Sequence, residues 1–113
     1  IIMIETADGL ANVEKIAALE GVDALFVGPV DLSFSITGGL AGLQSPEFST
    51  ALEKVVSAAN AANIPAGIFS LNPQNAAQNL NNGFQFTNVG ADTSLFTVAV
   101  AGAHEQLKTA LVK

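Results

Sequence analysis

Apolar residues along this chain fall into short unbroken runs separated by stripes at helical spacing. Residues 1–4 (Ile-Ile-Met-Ile) and 24–27 (Ala-Leu-Phe-Val) are runs of strand length. Between them Leu10, Val13, Ile16 and Ala17 follow the helical period, with Asp8 placed to cap the helix and Gly21 to close it. Ser45-Pro46-Glu47 is a helix start: an N-cap, proline at the first helical position, then an acid in the first turn. The helix it opens carries Phe48, Leu52, Val55, Val56 and Ala59 on one stripe and ends at Asn63. Residues 65–70 read as a third strand. Asn72-Pro73 then opens a shorter helix by the same device, with Ala76, Ala77 and Leu80 inward and Gly83 closing it. Residues 84–89 read as a fourth strand, followed by Gly90 and a cap at Asp92 or Thr93. The last helix runs to about Val112, and its stretch 95–103 is apolar nearly all round. A helix apolar on every side is buried on every side, so a partner surface is expected there.

The order is β-α-β-α-β-α-β-α, which implies a parallel sheet with right-handed crossovers. Four such units with an excess of apolar surface fit half of a (β/α)₈ barrel better than a complete doubly wound domain. The loops at Gly28 and Gly90 contain no G-x-G-x-x-G or Walker pattern, so nucleotide binding is disfavoured. Residues 28–44 read as a long Gly-rich loop (Gly38, Gly39, Gly42), either a functional element or a solvated connection. Glu5 and Asp31 each follow a strand. Parallel strands bring their C-terminal ends to one face, about 4.8 Å apart, so two such acids can converge on one hard cation. A strand-end Asp also caps turns, and pattern alone leaves both roles open.

Half of the 113 residues are hydrophobic (50%), 12% are charged, and the mean hydropathy is +0.45. No apolar run approaches the roughly 18 residues of a membrane span, so the excess is expected to be covered by more protein. Ile1 already lies in a strand, with no initiator Met or signal peptide, and residues 1–113 read as a single half-barrel fragment. There is no cysteine, which excludes disulfides and thiolate metal sites. A net charge of −6, no arginine and no basic cluster disfavour nucleic acid as a partner. His104, the single histidine, lies well along the last helix and reads as structural.

Met3-Ile4-Glu5-Thr6, followed by Gly21-Val22-Asp23-Ala24-Leu25-Phe26-Val27-Gly28-Pro29-Val30-Asp31-Leu32-Ser33, resembles the HpcH/HpaI aldolase/citrate lyase family. The nearer match is to its class II, metal-dependent 2-oxo-acid aldolases. The resemblance continues through Pro65 to Leu71 and through Val89-Gly90-Ala91-Asp92, and covers the C-terminal half of the family's phosphoenolpyruvate/pyruvate-type barrel. It implies that Glu5 and Asp31 bind a divalent cation (Mg²⁺, Mn²⁺ or Co²⁺), which suits carboxylate and water ligands. It implies further that a 2-oxo acid chelates the metal and that the metal stabilises a pyruvate enolate while an aldehyde is released or added. The turn Gly28-Pro29-Val30-Asp31 can hold the substrate carboxylate on the N–H groups of Val30 and Asp31; Pro29 has none to offer, and Gly28 permits close approach. Leu71 matches a pocket-lining position, although leucine there also serves plain packing.

A Schiff-base aldolase needs a lysine in the barrel interior, and Lys15, Lys54, Lys108 and Lys113 all fall on expected helices. The sequence departs from the family where Met3 replaces a frequent glutamine and Val30 a smaller or polar residue. The family's catalytic arginine and histidine base belong to its N-terminal half, so no catalytic residue is expected in this chain. The reading is a carbon–carbon lyase of which this chain holds the metal-binding half. The alternative is an inactive half-barrel serving assembly. A cytoplasmic homo-oligomer joined through the helix at 92–112 is expected in either case.

Overall fold

The computed structural model describes residues 1–111; the expected end of the last helix at Val112 and the side chain of Lys113 lie outside them. Four strands, β1 (Ile2–Ile4), β2 (Leu25–Val27), β3 (Ala66–Ile68) and β4 (Phe86–Thr87), form one sheet in the order β1-β2-β3-β4, all parallel. The strands are shorter than the apolar runs that announce them.

Register divides the sheet into two faces, because side chains alternate along a strand. Ile4, Val27 and Ile68 pair across the sheet on one face and are buried. They pack with Val13, Leu32, Phe48, Val55, Ala59 and Phe84 under the helices. Met3, Phe26, Gly67 and Phe86 pair across the other face, where Met3 is 53% exposed. The rings of Phe26 and Phe86 meet across Gly67 with centroids 5.7 Å apart. A parallel sheet is ordinarily covered on both faces. Here the helices cover one, and the open face is the one that lines the inside of a barrel.

Helix boundaries follow capping chemistry. Thr6, rather than Asp8, caps the first helix: its Oγ1 accepts the Gly9 N–H at 3.0 Å. That helix is divided into α1 (Ala7–Ala11) and α2 (Val13–Ala17) at Asn12, whose Nδ2 donates to the Asp8 carbonyl. Gly21 does not close α2, whose C-cap is Ala18; it turns the chain toward β2 with φ +88°. The segment 28–44, expected to be a loop, is mostly helical, with α3 (Pro29–Thr37) followed by a 3₁₀ segment (Leu40–Gln44). Gly-Pro ends β2 and serves as N-cap and first helical residue of α3, and Gly38 closes α3 in the left-handed region.

Ser45 caps α4 (Pro46–Ala61) by accepting the Phe48 N–H. The buried stripe of α4 is Phe48, Ala51, Val55, Ala58 and Ala59, with Leu52 and Val56 only half-buried beside it. Asn72 caps α5 (Pro73–Asn81), which buries Ala76 and Asn79 and leaves Ala77 and Leu80 exposed, contrary to the inward placement expected of them. The last helix, α6 (Asp92–Leu111), buries no residue in this chain. Leu95, Phe96, Val98 and Val100 are all exposed on it, so the cover its apolar surface calls for is not supplied here. No helix among the described residues is long and apolar enough to cross a membrane.

Candidate functional site

The strand ends assemble the site. The Gly28 N–H donates to the Ile4 carbonyl at 3.3 Å, which carries the β1–β2 register one step beyond the strands and sets Glu5 opposite Gly28. A Cβ built on Gly28 would lie 2.8 Å from Glu5 Oε2 and 3.1 Å from Glu5 Cβ. The carboxylate therefore occupies the space that a side chain at position 28 would fill. Gly28 is also the N-cap of α3, so this carboxylate rests where the helix dipole favours negative charge.

The first N–H of α3 to bond backwards is that of Leu32, to the Gly28 carbonyl at 2.9 Å. The Val30 and Asp31 N–H groups belong to the turn that helix geometry leaves without intrahelical partners, and Pro29 contributes none. Asp31 is exposed in that first turn, three residues and roughly 4.5 Å of axial rise from Gly28. The Gly-Pro-x-Asp-Leu-Ser string thus resolves into separate tasks. Leu32 is fully buried and anchors the helix, and Ser33, also fully buried, donates to the Gly39 carbonyl at 2.7 Å and holds the segment that follows.

Pro29, Val30 and Leu71 come together on the wall of a cleft of about 260 Å³ between α4 and α5, with Phe69, Asn75 and Asn79. Glu5, Gly28 and Asp31 are not among its lining residues. The expected site residues therefore fall into two groups, Glu5, Gly28 and Asp31 at the strand ends and the start of α3, and Pro29, Val30 and Leu71 on the cleft wall. Leu71 is 54% exposed, with its N–H donating to Asn75 Oδ1 at 3.2 Å. Among the described residues no group of three or more His, Cys, Asp or Glu side chains is placed to hold a metal. His104 lies on exposed α6, and Lys15, Lys54 and Lys108 lie on α2, α4 and α6.

Two contributors are absent from the sequence reading. Ser35 Oγ on α3 accepts the Ala7 N–H at 2.8 Å, and together with the Thr6 cap this fixes the chain directly after Glu5. The Thr6 cap has a sequence signal, a threonine three residues before glycine at a strand exit. Ser35 has none, because its partner is 28 residues away in sequence.

Four parallel βα units in the order β1-β2-β3-β4 are the arrangement of half of a (β/α)₈ barrel. The family model for HpcH/HpaI aldolase/citrate lyase matches residues 1–99, and the chain belongs to that family. It is 41% identical over 109 residues to a hydroxypyruvate/pyruvate aldolase of Paraburkholderia phytofirmans, covering 96% of this chain and 42% of that protein. A 5-keto-4-deoxy-D-glucarate aldolase of Escherichia coli is 36% identical over 99 residues, covering 88% of this chain and 38% of the relative. Among solved structures, an HpcH/HpaI aldolase/citrate lyase family protein from Burkholderia cenocepacia superposes with a TM-score of 0.86 at 36% identity. That alignment covers 94% of this chain and 41% of that one. The chain thus spans about two-fifths of the length of the curated relatives it matches.

Proposed function

We propose that this chain carries the metal-binding part of an aldolase acting on 2-oxo acids, with Glu5 and Asp31 as the protein ligands of a divalent cation. The observation that carries the reading is the packing of the Glu5 carboxylate on Gly28 at the start of α3, with Asp31 in the same helical turn. The donor set fits a hard cation: carboxylate oxygens, no thiolate and no imidazole nearby, with water and substrate oxygens left to complete the shell. Mg²⁺, Mn²⁺ or Co²⁺ would supply Lewis-acid stabilisation of charge developing on the substrate's ketone oxygen. The relatives named for hydroxypyruvate/pyruvate and 5-keto-4-deoxy-D-glucarate support a 2-oxo acid as substrate, with an aldehyde as its partner.

The chain's own groups bind and orient. The Val30 and Asp31 N–H groups at the head of α3 donate to the substrate carboxylate. Gly28, having no side chain, leaves room for the Glu5 carboxylate beside the substrate-binding turn, Pro29 fixes that turn, and Leu71 with Val30 lines the substrate side. Proton transfer is not performed by this chain, which contains no arginine and keeps its one histidine on exposed α6.

The exposed apolar side chains of α6 support homo-oligomerisation through that helix, and equally support the second reading, an assembly module without turnover. Titration of Mn²⁺ into the wild type, Glu5→Ala and Asp31→Ala tests the metal site. Binding is expected in the first and loss of binding in both variants; retained affinity in both removes the site and leaves the assembly reading.

A further inference from the structure

We propose that Asn88 is a positioning residue, whose side chain stands in for a missing length of β-strand and fixes the corner that presents Leu71. This rests on the reading of Leu71 as part of the substrate wall. The β3–β4 ladder ends at the pair Ile68 and Thr87. One residue further on, the Asn88 amide continues it. Oδ1 accepts the Ser70 N–H at 2.7 Å, and Nδ2 donates to the Ser70 carbonyl at 2.9 Å and to the Gly90 carbonyl at 3.1 Å. One side chain thus satisfies both backbone groups of a residue that is fully buried. The amide orientation is fixed by its partners, since a flipped amide would set its oxygen against two carbonyls and its NH₂ against an N–H.

The Ser70 hydroxyl is fixed as well. Ser70 Oγ and Thr87 Oγ1 share a hydrogen bond of 2.7 Å, Thr87 Oγ1 has the Ile68 and Asn88 carbonyls as acceptors, and Ser70 Oγ accepts from Asn79 Nδ2 at 2.9 Å. The Ser70 and Thr87 hydroxyls thus lie in one network that ties Asn79 of α5 to the end of β3. A residue held at N–H, C=O and Oγ has no freedom to shift, and Leu71 is the next residue. The second corner is tied to the first: Gly90, at φ +132°, is fastened by Asn88 Nδ2, and its Cα faces the Leu71 carbonyl, 3.5 Å from where a Cβ would stand. Asn88 therefore joins the β3–α5 and β4–α6 corners while lying outside the cleft wall itself.

The test uses the chain with Asn88→Ala, which removes the clamp, and Asn88→Asp, which keeps the acceptor for Ser70 N–H but opposes two carbonyls. Amide hydrogen exchange at Ser70 and Leu71 should accelerate at least about 10-fold in both, with Leu25 and Val27 in the neighbouring strand unchanged. Pyruvate affinity, measured with Mn²⁺ present, should weaken several-fold while Mn²⁺ affinity itself stays within about 2-fold. Leu71→Ala should weaken pyruvate binding without accelerating exchange at Ser70. If Asn88→Ala does not fold, Asn88→Asp alone decides. Unchanged exchange at Ser70 and Leu71, or unchanged pyruvate affinity despite a loosened corner, overturns the role. Failure of the metal reading shows separately, as absence of Mn²⁺ binding in the wild type.

Discussion

Glu5 lies on Gly28: its Oε2 is 2.8 Å from the position a Cβ at residue 28 would take. A glycine whose φ of −90° any residue could adopt is required there by the neighbouring strand and not by its own backbone. Gly28→Ala should therefore leave the fold in place, because the Glu5 carboxylate can swing aside and Glu5 Cβ, 3.1 Å from the new methyl, has to give only a few tenths of an ångström. The swing moves the ligand. Mn²⁺ affinity should fall about 10-fold or more, equivalent to about 1.4 kcal/mol, while the thermal midpoint stays near that of wild type. Unchanged affinity in a folded variant would show that the Glu5 position does not matter to the metal.

Gly67 is a glycine of the opposite kind. It sits between Phe26 and Phe86 in the register of β2, β3 and β4, and a Cβ there would collide with the Phe86 ring. Gly67→Ala should displace that ring and separate the aromatic pair. The cost is about 1–3 kcal/mol of overpacking plus about 0.5–1.5 kcal/mol of lost ring–ring contact. Urea unfolding measures it, and a change within error would mean that the open face accommodates the methyl.

Ser33→Ala removes the donor to the Gly39 carbonyl from a fully buried position. Thr37 Oγ1 lies 3.2 Å from the same carbonyl and can replace it in part. The loss should be about 1 kcal/mol, the low end for a buried acceptor left short of a partner. Mn²⁺ affinity should not change, since the serine faces the segment after α3 and not the carboxylates. A parallel loss of metal binding would instead tie the two ends of α3 together.

Sedimentation should show a dimer or larger species at micromolar concentration. The sheet leaves β1 and β4 as open edges, and α6 exposes Phe96 and Val98 at 73% and 71%. Phe96→Glu with Val98→Glu should shift the population toward monomer. A well-folded wild-type monomer contradicts the proposed contact.

With Mn²⁺ bound, the chain should decarboxylate oxaloacetate no faster than free Mn²⁺. General acid–base help is worth about 10²–10⁴-fold, and neither an arginine nor a histidine near the strand ends is present to give it. EDTA should abolish the residual rate. A rate thousands of times higher, lost in Asp31→Ala, would reveal a base within these residues.

The fold was legible where two signals coincided. Ser45-Pro46 and Asn72-Pro73 each join a cap to a proline, and both open helices where expected. At Gly28-Pro29 the helix start is hidden, because no polar cap precedes the proline, the glycines at 38, 39 and 42 suggest a loop, and Val30 to Thr37 alternates apolar and polar residues without a helical period. That alternation survives in a helix because α3 buries only Leu32 and Ser33, too narrow a face to impose a helical stripe. Within the candidate site, the acids and the Gly-Pro turn stand out because strand exits are marked by composition. Asn88 does not, since its partner Ser70 lies 18 residues away and nothing local distinguishes a clamping asparagine from a solvated one.

The bare position at Gly67 also bears on how far the sheet can curve. With no side chain between them, the rings on either side meet at 5.7 Å on the open face, which leaves β2 and β4 free to roll toward each other there. Roll in that sense makes the sheet concave, and concavity continued from strand to strand is what bends a flat array into a cylinder. A single residue lacking a side chain therefore helps set the radius at which the two free edges of such an array can meet their complement.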